Sequence, residues 1–187
     1  MKSVLAGLLL FFLAGQVQAS CWEEAARAYG IDPLLLRAVS WVESNDRADA
    51  IGPKLEDGNR ALGKMQINTV HLPELKPYGV TKEMLFDECV NIKVGAWIAA
   101  RCIARFGHVW KAIGCYNTGP ASKNVEAQQR YVALVSEAYA QYKRNPNATP
   151  RIRTAKSEKS RAELVGGSVQ RTSKTGYTGE FRTWGDE

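Results

Sequence analysis

The chain has 187 residues, of which 45% are hydrophobic and 24% are charged, and its formal net charge is +6. This length and apolar content suffice for one compact domain with its own core, and they exclude both wholesale disorder and two independent catalytic domains. Beyond the N-terminal segment there is no apolar run of about eighteen residues, which excludes a multi-span membrane protein.

Residues 1–19 have the pattern of a secretory signal peptide. Lys2 supplies a positive charge, residues 4–13 are almost entirely apolar, and residues 17–19 end in the small side chain expected at a cleavage site. We therefore expect cleavage before Ser20, a periplasmic location and no stable membrane insertion afterwards. The alternative is an uncleaved membrane anchor, which the short apolar stretch disfavours.

Export determines how the four cysteines are interpreted. Cys21, Cys89, Cys102 and Cys115 would lie in an oxidising compartment, where an even number favours disulfide bonds. Four cysteines allow three pairings, and the spacing alone does not choose among them. A zinc site needs ligands at short spacing, and neither Cys-x-x-Cys nor His-x-x-x-His occurs. We expect disulfides, no metal site and no cofactor.

The segment 20–144 is predicted to be mainly α-helical, because helical signals follow one another with almost no alternating strand pattern. Proline and capping residues mark the starts of the helices, and glycines mark several of their ends. The predicted elements are 22–29 ended by Gly30, Asp32-Pro33 to about Ser44, a short turn from Thr81, Glu88 to Phe106 ended by Gly107, 109–113, and 125–142.

Residues 145–187 are predicted to be a flexible, disordered basic tail. They carry eight Lys and Arg against five Asp and Glu, and their only aromatic residues are Tyr177, Phe181 and Trp184. Such a composition cannot bury enough apolar surface to order itself. The tail is either a solvated extension or a segment that docks to an anionic wall polymer, a membrane or a partner protein. Nucleic acid is not an expected partner, since aromatic residues are sparse and the chain is exported.

Glu43 stands out within the second predicted helix. Leu35, Val39 and Glu43 follow one another at i, i+4 and i+8, so the acid projects from the same face as core side chains. Burial and the negative end of the helix dipole both favour the protonated form, which a general acid needs near neutral pH. The alternative is a solvated Glu near a helix end, without a function.

Three further motifs accompany Glu43-Ser44. They are Gly63-Lys64-Met65-Gln66, a polar turn Cys115-Tyr116-Asn117-Thr118-Gly119, and a late Tyr131. Their order and spacing over residues 21–143 resemble the catalytic domain of lytic transglycosylases with a goose-lysozyme-like fold. The family pattern is Glu-Ser, Gly-Leu-Met-Gln, Ala-Tyr-Asn-x-Gly and a Tyr in the last helix. The resemblance implies a mainly α, single lysozyme-like helical domain.

The chain is most similar to the small exported transglycosylases that accompany secretion and conjugation machines. Those also begin the mature chain with Cys-Trp, here Cys21-Trp22, and carry a cysteine before the long helix, here Cys89. The resemblance implies a bridge between Cys21 and Cys89, which leaves Cys102 and Cys115 to pair. It also implies components of a conjugation or type III/IV secretion apparatus as partners.

The resemblance further implies the reaction and the roles of individual residues. A single acid, Glu43, would cleave the β-1,4 bond between N-acetylmuramic acid (MurNAc) and N-acetylglucosamine (GlcNAc) of peptidoglycan and form 1,6-anhydro-MurNAc without consuming water. The residues expected to contact or orient the glycan strand are Ser44, Met65, Gln66, Tyr116, Asn117 and Tyr131.

Departures from the family pattern leave alternatives open. Lys64 replaces the usual Leu and is expected to bring a cation near the cleft, and Ala61 stands where some relatives carry an Asp. A hydrolase would need a second carboxylate, and Glu56 or Asp57 is the candidate, although that polar loop is expected to be solvated. The alternatives are therefore a lysozyme-like muramidase and a non-catalytic glycan-binding assembly factor.

Overall fold

A computed structural model describes residues 20–152, and within them the chain is mainly helical, as predicted. The predicted signal peptide and most of the predicted tail lie outside the described residues. None of the helices in the described part is long and apolar enough to cross a membrane. The helices are α1 (Cys21–Tyr29), α2 (Pro33–Ser44), α3 (Leu72–Leu75), α4 (Glu88–Phe106), α5 (Trp110–Thr118) and α6 (Val125–Arg144), with 3-10 turns at Thr69–His71, Lys76–Tyr78 and Glu83–Phe86.

The ends of α2 follow from its sequence. The Asp32 carboxylate accepts a hydrogen bond from the Leu34 amide at 2.8 Å, and Pro33 occupies the first helical position, where its missing N–H costs nothing. At the other end Asn45 adopts the left-handed conformation, with φ of 53°. The predicted bounds of α2 are therefore confirmed, and they place Glu43 in its last turn.

The structure adds a short antiparallel hairpin, β1 (Ala61–Leu62) and β2 (Ile67–Asn68), which flanks the predicted glycine-led turn. One local prediction was wrong. Residues Cys115 to Thr118 form the end of α5 rather than a separate polar turn, because the helix continues until Gly119. Strands of two residues are too short to produce an alternating pattern, and packing against α6 extends α5 beyond its apolar residues.

The core lies between α2, α4, α5 and α6. Helix α6 packs on both α2 and α5, while α1 packs on α4. Leu35 and Val39 of α2, Ile92 of α4 and Val135 of α6 are fully buried. Both predicted disulfides are confirmed: Cys21–Cys89 joins α1 to α4, and Cys102–Cys115 joins α4 to α5.

The chain stays on the domain after α6 ends. The Arg37 guanidinium donates to the Pro146 carbonyl at 2.7 Å, and the Gln141 side chain exchanges two hydrogen bonds with the backbone of Arg151. Ile152 packs against the core. The segment 145–152, which was assigned to the tail, is therefore part of the packed domain in the structure.

Candidate active site

Glu43 lies half-buried in the last turn of α2, and its carboxyl group has one hydrogen-bond partner on a distant helix. The hydroxyl of Tyr131, on α6, donates to Glu43 Oε1 at 2.6 Å. Burial raises the pKa of Glu43 to about 7, and the hydrogen bond from Tyr131 acts in the opposite direction. Near neutral pH the carboxyl group can therefore both donate and accept a proton.

Tyr131 remains a donor under these conditions. Burial raises its pKa well above the usual value, and the neighbouring Glu43 and Tyr116 raise it further. Since the Tyr131 hydroxyl donates to Oε1, the protonated form of Glu43 is expected to carry its own proton on the other oxygen, Oε2. The Tyr131 side chain is buried against the core and also bonds to the acid.

Tyr116, on α5, is the second phenol beside the acid. Its hydroxyl donates to the Met65 carbonyl at 2.8 Å. Burial raises its pKa well above the usual value, and the charge of Glu43 adds to this effect. The phenols of Tyr116 on α5 and Tyr131 on α6 therefore both lie near the Glu43 carboxyl group of α2, and both stay protonated.

The turn from Gly63 to Gln66 is fixed to α4 by Asn91. The Asn91 amide donates to the carbonyls of Leu62 and Leu85, and its oxygen accepts from the Met65 amide at 2.7 Å. Gly63 has φ of 72°, and a Cβ there would come within 2.2 Å of the Leu85 carbonyl oxygen. Only glycine fits this position. Asn91 was not predicted from the sequence, where a polar residue among the apolar positions of a long helix was the available signal.

Ser44 fastens the same turn from the other side. Its hydroxyl donates to the Lys64 carbonyl at 2.6 Å and accepts from the Arg47 amide at 3.0 Å. The side chain is buried and makes no hydrogen bond to Glu43 among the described residues. The Ser44 hydroxyl therefore joins the end of α2 to the turn, and its contact with substrate stays a prediction.

Met65 and Gln66 also support the turn. The Met65 side chain is fully buried against Gly95, so it has no exposed surface to offer a sugar. Gln66 has φ of 47°, and its side-chain nitrogen donates to the Gly63 and Ala50 carbonyls. The group of this pair that contacts Tyr116 is the backbone carbonyl of Met65.

The expectation that Lys64 places a cation near the cleft was wrong. Its ammonium group lies 3.0 Å from Glu88 and 3.4 Å from Asp46, and it sits over the Trp22 ring. The side chain is only 8% exposed. Its charge is therefore buried and neutralised by two carboxylates.

Among the described residues, no second acid interacts with Glu43. Glu56 and Asp57 are exposed in the loop before β1, and Asp57 accepts two hydrogen bonds from Asn59, which lower its pKa. Within residues 20–152 neither forms a hydrogen bond or ion pair with Glu43. The same part of the chain contains no group of three His, Cys, Asp or Glu side chains arranged to hold a metal ion.

An open groove adjoins the acid through Tyr116. It has a volume of about 510 Å³, and its lining includes Asn68, His71, Glu74, Arg101, Tyr116 and Asn117. Asn117 is exposed and can offer an amide to a ligand. Glu43 does not line the groove itself, but Tyr116 lines it and lies close enough to Glu43 for the carboxylate charge to raise the pKa of its phenol.

A helical domain with one desolvated carboxyl group, two neutral phenols and an adjoining polar groove defines an enzyme of the lysozyme-like class. Comparison with known families specifies it further. The family described as Transglycosylase SLT domain matches residues 20–138, so the chain belongs to that family and is a lytic transglycosylase acting on peptidoglycan outside the cytoplasm.

Two known proteins are similar to this chain over at least two thirds of its length. The X polypeptide of Escherichia coli is 40% identical over 144 residues, which are 76% of this chain and 84% of that protein. The invasion protein IagB of Salmonella typhimurium is 36% identical over 126 residues, 67% of this chain and 78% of that protein.

Among solved structures, an inactive mutant of the lytic transglycosylase Slt from Pseudomonas aeruginosa has a similar fold. The TM-score is 0.51 at 20% sequence identity, over 70% of this chain. The chain corresponds to only 25% of that longer protein. The likeness therefore concerns the lysozyme-like fold of this one domain.

Proposed function

We propose that the enzyme cleaves the β-1,4 bond between MurNAc and GlcNAc and leaves a 1,6-anhydro-MurNAc end, with Glu43 as its only acid and base. The observation that carries this proposal is a single carboxyl group whose pKa is raised to about 7 by burial. One group that changes protonation near neutral pH can serve both halves of such a reaction.

The proton leaves Glu43 and returns to it. In the first half Oε2–H protonates the glycosidic oxygen while the C1–O bond breaks, and the N-acetyl carbonyl of the substrate supports the anomeric cation. The hydrogen bond from Tyr131 to Oε1 stabilises the carboxylate that results. In the second half that carboxylate takes the proton from the C6 hydroxyl of the muramoyl residue, whose oxygen closes the 1,6-anhydro ring. No water is consumed.

A muramidase, which hydrolyses the same bond, is the second candidate. Hydrolases of this kind generally use two carboxyl groups at a defined separation. The exposed positions of Glu56 and Asp57 favour the reaction with one acid. In a non-catalytic glycan-binding factor, the third candidate, a buried carboxyl group with a raised pKa would have no task.

We further propose that the protein is exported by residues 1–19, acts in the periplasm, and opens the wall locally for a secretion or conjugation apparatus. Support comes from the apolar N-terminal segment and from the similarity to IagB, which is called an invasion protein. In this proposal Asn117 and the ring of Tyr116 bind the glycan strand in the groove.

Digestion of purified sacculi tests the chemistry. Wild-type protein is expected to release muropeptides with anhydro ends, which are lighter by one water than hydrolysis products. Glu43→Gln should release none, while Glu126→Gln, which changes an exposed acid on α6, should behave as wild type. Reducing-end products would identify a muramidase instead, and unchanged cleavage by Glu43→Gln would contradict both enzymatic candidates.

A further inference from the structure

The groove beside Tyr116 contains one cationic side chain, Arg101, to which the proposed reaction gives no role. Its guanidinium lies 4.7 Å from the centre of the Trp97 ring, one turn earlier on α4, and its Nη1 donates to Glu74 at 2.7 Å. The side chain is 49% exposed. Arg101 is therefore held in place on two sides while a large part of it faces the groove.

Of the ionisable side chains that line the groove, only Arg101 is suited to bind an anion. Besides Arg101, the ionisable groups lining the groove are His71, Glu74 and Tyr116. Burial lowers the pKa of His71, and Arg101 lowers it further while Glu74 opposes the change, so the imidazole is neutral near pH 7. The Glu74 carboxylate is engaged with Nη1. The remaining N–H groups of a guanidinium match the geometry of a carboxylate.

When an arginine side chain is already fixed before the ligand arrives, less side-chain conformational entropy is lost on binding. The stacking on Trp97 and the bond to Glu74 provide this fixation. A lysine would offer a charge there, but without the planar set of donors and without the same stacking surface.

We propose that Arg101 binds a carboxylate on the branch that muramoyl residues carry, and thereby makes the enzyme select charged peptidoglycan strands over an uncharged β-1,4 glycan. This inference rests on the proposed function, which places the strand along Tyr116 and Asn117. Two sources of the carboxylate share this chemistry: the lactyl group of the muramoyl residue, where no peptide is attached, and the acidic residues of an attached stem peptide.

The test compares Arg101→Gln with Arg105→Gln. Arg105 lies one turn later on the same helix, is exposed and stacks over Phe106, but does not line the groove. The substrates are native sacculi and sacculi whose carboxylates have been converted to amides. Wild type should show an apparent KM about tenfold lower on the native substrate, the magnitude of one lost hydrogen bond between charged groups.

Arg101→Gln should raise the KM on native sacculi by about tenfold and abolish the difference between the two substrates, with the effect falling on KM rather than on kcat. Arg105→Gln should keep the wild-type difference. Arg101→Lys should restore only part of it. If Arg101→Gln does not fold, Glu74→Gln replaces it: the amide oxygen keeps an acceptor for Nη1 while a negative charge beside the ligand carboxylate is removed, so the KM on native sacculi should fall.

Strands stripped of peptide by an amidase, which carry only lactyl carboxylates, identify the source. A full effect of Arg101→Gln on stripped strands assigns the lactyl group, and its disappearance there assigns the stem peptide. Equal substrate preference in wild type and Arg101→Gln would overturn the inference. Failure of wild type to produce anhydro ends would instead overturn the proposed function, whatever the substrate preference.

Discussion

The hydroxyl of Tyr131 lies 2.6 Å from Oε1 of Glu43, which joins two residues that are 88 positions apart in the chain. This contact connects α2 to α6 at the site where proton transfer is proposed. It lowers the pKa of Glu43 against the larger effect of burial, so the two opposing influences together set the value near 7.

Replacing Tyr131 with Phe should change both the rate and the pH profile. Without the hydrogen bond the pKa of Glu43 rises above about 7, so the alkaline limb of kcat, where the protonated acid is lost, should move to higher pH. The carboxylate formed in the first half-reaction loses its donor, and kcat should fall by about ten- to a hundredfold. A pH series of anhydro product formation measures both effects. An alkaline limb that moves to lower pH would contradict the assigned direction.

Glu43→Gln should stabilise the protein, and more so at high pH. The folded protein binds the Glu43 proton more tightly than the unfolded chain, because the pKa of Glu43 is about 7 in the fold against an ordinary value of 4.5. Stability therefore falls as pH rises through this window, and by pH 8 the buried charge costs up to about 3 kcal/mol. Thermal unfolding at pH 4 and pH 8 should show a small gain from the substitution at pH 4 and a larger one at pH 8. Equal gains at both pH values would refute the raised pKa.

Gly63→Ala should be far more destabilising than Gly79→Ala. Both glycines have a positive φ, 72° and 73° respectively, so the conformational cost of a side chain is alike. At Gly63 the added methyl also meets the Leu85 carbonyl and the Asn91 amide, whereas at Gly79 nothing lies within 4 Å. Denaturant unfolding should show losses of about 1 kcal/mol for Gly79→Ala and more than about 3 kcal/mol for Gly63→Ala. Similar losses of stability for the two variants would contradict the expected clash and would mean that the turn from Gly63 to Gln66 can shift to accommodate the methyl group.

The two disulfides should differ in what their removal affects. Chain-entropy arguments assign about 4 kcal/mol to the bridge of separation 68, Cys21–Cys89, and about 3 kcal/mol to that of separation 13, Cys102–Cys115. The loss of activity should follow the opposite order. Removing Cys102–Cys115 should lower activity more than removing Cys21–Cys89, because Cys115 directly precedes Tyr116 on α5. Paired Ala variants of each bridge, compared by unfolding and by kcat well below the melting temperature, check both orders. Greater loss of activity without Cys21–Cys89 would contradict the role of α5.

The sequence by itself determined where the longest helices lie and where Glu43 stands on one of them. Asp32-Pro33 and Gly107 mark helix ends through local backbone chemistry, and the spacing of Leu35, Val39 and Glu43 places the carboxyl group against the core. Local rules suffice for these features because capping and periodicity depend on residues within a few positions of each other.

Only the tertiary structure decided how the site is assembled. Ser44 bonds to the Lys64 carbonyl, Asn91 to the Met65 amide, and Lys64 to Glu88, and each pair is separated by at least twenty positions. A periodic pattern shows which face of a helix is buried but not which distant polar group meets it there. The pKa of Glu43 belongs with these features, since its value depends on how much packing around α2 removes water from the carboxyl group.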